Sequence, residues 1–142
     1  MALRPNQVIT STTPPAIEIL SKVVQVARTD TTAFEAFVLP KHAVVAGVYV
    51  LGVTASDAAT TAIIDVGTNP ATADEILDSF SVKTSGDGYF AAGATAGTAL
   101  GTQLTADTLY KAAYSETGTA ATTGGPWLVK VEYYFPQQGY SW

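Results

Sequence analysis

The chain has 142 residues, of which 47% are hydrophobic and 13% charged, with a formal net charge of −5. That length suits one domain with enough apolar material for a core, and the low charge with plentiful Thr, Ala and Gly describes short strands joined by small-residue loops, not a charged helical bundle. The seven Lys and Arg are scattered from Arg4 to Lys130, which leaves no electrostatic footprint for nucleic acid. The chain lacks cysteine, which excludes a disulfide framework and a thiolate metal site. The longest apolar run, Ala43 to Val53, is about half of what a membrane helix needs, and no signal peptide precedes it, so a soluble protein made in a cytoplasm is expected.

Residues 1–16, with Thr12-Thr13-Pro14-Pro15 near their end, are expected to form an extended N-terminal arm, because the prolines forbid a helix and too little apolar material is present for a core strand. Ile17 to Arg28 is rich in Val and Ile, but its alternation slips around Ser21, which predicts a bulge or two short strands; Ile17, Leu20 and Val24 also fit a helical period. Phe34 to Leu39 alternates and stops at Pro40. Ala43 to Val53 is apolar on both faces and reads as a central strand. Ala62 to Thr68 sets Ile64 and Val66 against Ile63 and Asp65 and breaks at Gly67 and Asn69-Pro70.

Thr72 followed by Glu75 has capping-box spacing and predicts one helical turn over Ala73 to Leu77. Phe80 to Thr84 returns to strand character before a turn at Gly86-Asp87-Gly88, and Ala91 to Ala106 reads as a small-residue loop. Leu109 to Glu116 is a strand with Tyr110 and Tyr114 on one face, and Thr117 to Gly125 is a loop. Trp127 to Phe135 alternates most plainly, with Trp127, Val129, Val131, Tyr133 and Phe135 on one face and Lys130 and Glu132 on the other. The fold class predicted is all-β: a two-sheet β-sandwich over residues 17–135, of jelly-roll design, with an immunoglobulin-like sandwich as the alternative. Residues 136–142 form a C-terminal tail.

The chemistry is sparse. His42, the only histidine, sits beside Pro40 and Lys41 without a local nucleophile motif and reads as a solvated loop residue. Asp65, Asp74, Glu75 and Asp78 are the densest polar group; oxygen ligands at such spacing can bind calcium, and Asp65, Asp74 and Asp78 are the candidate metal ligands. No known calcium-loop pattern is present, and turn-making and capping account for the same residues. A glycosidase pair would draw on the same carboxylates, with nothing in the sequence to set their separation. Gly93, Gly97 and Gly101 lack the Gly-Lys-Thr of a phosphate loop, and no Gly-x-Ser-x-Gly elbow occurs. No catalytic residue, cofactor site or enzyme activity is expected. In the tail, Tyr140 and Trp142 are aromatics that either fold back on the domain or anchor to a neighbouring subunit. Tyr110, Tyr114 and Trp127 are the candidates for a sugar-binding platform, if the sandwich were a carbohydrate-binding module.

The segment Phe37-Val38-Leu39-Pro40-Lys41-His42-Ala43-Val44-Val45-Ala46-Gly47-Val48 resembles one found in small tailed-phage virion proteins. Ile64-Asp65-Val66-Gly67-Thr68 with Asn69-Pro70, the acidic turn from Asp74 to Asp78 and the closing Val129-Lys130-Val131-Glu132-Tyr133 follow in the same order. The likeness covers Phe34 to Phe135 and is a pattern of strands and turns, without a catalytic signature. It implies a virion structural protein of the capsid cement or decoration type, a homotrimer bound to the major capsid protein on the outer surface of the capsid, with neither nucleic acid nor membrane as partner. A tail or head-fibre component is the alternative within the virion.

Overall fold

The computed structural model describes residues 17–52, 54–83 and 99–136, together with the backbone of 88–91. The expected arm at 1–16, Gly93 and Gly97, and the tail aromatics Tyr140 and Trp142 lie outside the described residues. Among the described residues there is no helix, and eight strands follow one another: β1 (Leu20–Val26), β2 (Phe34–Leu39), β3 (Val44–Gly52), β4 (Thr61–Gly67), β5 (Leu77–Ser81), β6 (Gly88–Ala91), β7 (Thr108–Thr117) and β8 (Trp127–Tyr134).

The strands form two four-stranded sheets in the orders β1-β8-β3-β6 and β2-β7-β4-β5, with every pairing antiparallel. The first strand pairs with the last, the second with the seventh, the third with the sixth and the fourth with the fifth. The chain is thus one long antiparallel ribbon turning back on itself at β4–β5. Its paired rungs fall alternately into one sheet and the other, and the β3–β8 and β4–β7 pairings complete each sheet.

Period-2 patterning decides which side chains meet between the sheets. Val24 and Val26 of β1, Val48 and Val50 of β3, and Trp127, Val129 and Val131 of β8 face Leu39 of β2, Ile64 and Val66 of β4, and Tyr110, Ala112 and Tyr114 of β7 in one continuous buried cluster. Each large aliphatic side chain so buried contributes about 1.5–3 kcal/mol before the entropy of ordering is counted. Trp127 stacks on Tyr114, with ring centroids 5.5 Å apart and planes inclined by 11°, and joins an inner strand of one sheet to an inner strand of the other.

Several sequence expectations are corrected here. β1 is a single strand in unbroken register with β8, not two strands or a bulged one. The apparent slip arises because Lys22 occupies an inward position at the edge of the core, so Leu20, Val24 and Val26 share one face across a charged residue. Its long aliphatic stem lets a lysine do this while the ammonium reaches water. The helical turn expected over Ala73 to Leu77 is absent. Asn69 instead receives the backbone N–H of Thr72 and Ala73 in a tight turn, and the Glu75 carboxylate reaches back to the backbone N–H and hydroxyl of Thr68 at 2.9 and 2.7 Å. Nothing larger than hydrogen fits at Gly67, where a Cβ would come within 1.9 Å of the Ala73 carbonyl oxygen, and this close approach fixes the turn against β4.

The strand expected from Phe80 begins earlier, at Leu77, and ends at Ser81. Gly88, taken as a turn residue, opens β6, whose backbone pairs with Tyr49 to Gly52. Phe135 lies past the end of β8 and is 39% exposed, packing edge-on against Tyr133.

At one end of the molecule the β2–β3 turn is pinned by the N–H of His42 on the Leu104 carbonyl and by the N–H of Lys41 on the Asp107 carboxylate. His42 is exposed, as expected of a turn histidine, and holds φ at 74°, the left-handed region that L-residues avoid. Replacing it by glycine keeps its N–H bond and removes the Cβ clash. His42→Gly is therefore expected to raise stability by roughly 0.5–1 kcal/mol, the left-handed penalty less glycine's own entropy cost. An increase in the chemical denaturation midpoint at unchanged slope checks this.

Candidate functional site

Asp65 lies on β4 where the register with β5 shifts between Ile64 and Val66. The shift brings the bulged backbone of Ser79, at φ 51°, close enough for its N–H to donate to the Asp65 carboxylate at 2.5 Å. The β4–β5 turn covers the same aspartate, which is only 9% exposed. Asp74 arrives from that turn and Asp78 from β5, and one carboxylate oxygen of each of the three lies within 4.8 Å of the others. The sequence spacing therefore does bring Asp65, Asp74 and Asp78 together. Glu75, the fourth member of the expected group, turns away to Thr68.

The cluster borders an open cleft of about 410 Å³, also lined by Thr31, Asn69, Ser79 and Ser115. Three carboxylates are an oxygen donor set suited to a hard cation, but they fall short of the about six to eight oxygens that calcium takes. Electrostatically the dominant effect is proton affinity. Burial pushes the Asp65 carboxyl above its usual range, the Ser79 N–H pulls it partly back, and the charges of Asp74 and Asp78 raise it further. For Glu75 burial acts upward, but the two bonds from Thr68 outweigh it and the carboxyl ends below its ordinary value.

A second polar centre, not foreseen from the sequence, ties together the loops at the opposite end. Asp57, in the β3–β4 loop, accepts the N–H of Thr122 and Thr123 at 2.8 and 2.9 Å and the Thr122 hydroxyl at 2.7 Å. These bonds hold its pKa down to about 2, the Thr123 N–H contributing most. Beneath it the Tyr114 hydroxyl donates to Glu116 at 2.6 Å, and the Ser56 hydroxyl, 2.9 Å away, donates to Tyr114 in turn. Glu116 also receives the Ala121 N–H, and the Ala121 carbonyl accepts from Arg28 at 3.0 Å. Burial, reinforced by Glu116, pushes the Tyr114 phenol up to about 12, so it serves as a neutral donor. The sequence signal for this centre was only an isolated Asp in a small-residue loop facing Thr-rich segments far along the chain.

The proposed sugar platform is overturned by burial. Tyr110, Tyr114 and Trp127 are 2%, 0% and 0% exposed and lie between the sheets, where no sugar ring can reach them. Among the described residues, Ile17, Ile19, Leu100 and Phe135 are exposed outside the strands, and other exposed apolar groups sit on the outer faces of the sheets. Val23 and Leu128 mark the β1-β8-β3-β6 sheet, and the cross-strand pair Val38 and Leu109 marks the other.

A scan against protein-family models finds no match, and a search of curated proteins finds none either. Among solved structures, a chain of the cyanophage Pam1 capsid asymmetric unit has the same overall fold, with a TM-score of 0.56. The alignment covers 87% of this chain and 92% of that one at 23% sequence identity.

The two carboxylate centres have opposite proton linkage. Asp65, raised above 3.8, destabilises the folded state once ionised, so its penalty is absent below pH 3.8 and develops as pH rises through its folded pKa. Asparagine keeps an oxygen for the Ser79 N–H. Asp65→Asn is thus expected to gain stability over the parent at pH 7, with the gain vanishing near pH 3. Asp57, lowered from 3.8 to about 2, stabilises above pH 3.8 and ceases to do so as pH falls through 2, so Asp57→Ala is expected to lower the melting midpoint at pH 7 and much less at pH 2. Melting curves of both variants across this range check the two signs.

Proposed function

We propose that this chain is a non-catalytic structural protein of a phage virion, associated with the capsid and acting as a cement or decoration protein on the outer shell. The observation that carries the reading is the match, over nearly the full length of both chains, to a chain of a phage capsid asymmetric unit. The likeness from Phe34 to Phe135 to small virion proteins points the same way. We read the fold as a jelly roll: the order β1-β8-β3-β6 against β2-β7-β4-β5 is that of a rolled antiparallel ribbon, and eight strands favour it over a seven-stranded immunoglobulin-like sandwich.

The physics of the molecule suits a clip on a shell. The loops at one end are cross-linked by side-chain carboxylates, and those at the other by backbone bonds from Ala99, Gly101 and Leu104. A rigid body of this kind loses little freedom on docking, and many copies on one lattice gain avidity without strong single contacts. A tail or head-fibre part remains the second reading within the virion.

The test is sedimentation of the purified chain with shells of its own phage that lack it. Saturable co-sedimentation, with shells that then release their genome at a higher temperature, is the expected result. Shells that neither bind the chain nor change in thermal stability would overturn the cement reading.

A further inference from the structure

We draw no further inference here: the strongest candidate, the cluster of Asp65, Asp74 and Asp78 where the β4–β5 turn borders the open cleft, carries nothing because no second observation at the site points to a ligand.

Discussion

The stack of Trp127 on Tyr114 is the contact on which the rest of the molecule depends. Trp127 opens β8, flanked by β1 and β3, and Tyr114 lies within β7, flanked by β2 and β4, so the two rings join inner strands of opposite sheets. Both side chains are fully buried, and the Tyr114 hydroxyl keeps its polar demand satisfied through Glu116 and Ser56. Ser56 belongs to the β3–β4 loop, and Glu116, near the end of β7, holds the Ala121 N–H of the loop that follows. The aromatic pair therefore sets the spacing of the sheets and, through one phenol, positions the loops above them. Gly125 sits against the Trp127 ring at φ 66°, a conformation and a clearance that a side chain would not allow.

Tyr110, Tyr114 and Trp127 are spent between the sheets, and aliphatic, charged and half-buried residues occupy the outer faces. This arrangement takes Tyr110, Tyr114 and Trp127 out of reach of a sugar ring and leaves outer faces of differing charge on the two sides. One side gathers carboxylates around Asp65, and the other carries exposed Val23 and Leu128 with the paired Lys130 and Glu132.

Much of this was legible in the sequence because strict alternation is hard to mistake. β8 and β7 announce their inward rows through Trp127, Val129 and Val131 and through Tyr110 and Tyr114, and the apolar stretch from Ala43 marks the strand paired on both sides. β1 was harder, since a lysine at an inward position breaks the pattern that periodicity relies on. The β4–β5 turn failed for another reason. Thr72 and Glu75 carry the local spacing of a helix cap, but the close approach at Gly67 and the bond from Glu75 to Thr68 are longer-range demands that override it. The gathering of Asp65, Asp74 and Asp78 was foreseeable in part, from sequence proximity. The Asp57 hub was not, because its partners Thr122 and Thr123 lie 65 and 66 residues away and only the folded ribbon brings them together.

The central claim is that this fold serves as a component of a phage shell. A cryo-electron microscopy reconstruction of the intact particle tests it most directly. The account predicts repeated density on the outer capsid surface into which the eight-stranded body fits, with Trp127 and Tyr114 stacked between its sheets. Density for the chain confined to the tail or to head fibres, or its absence from the particle, would contradict it.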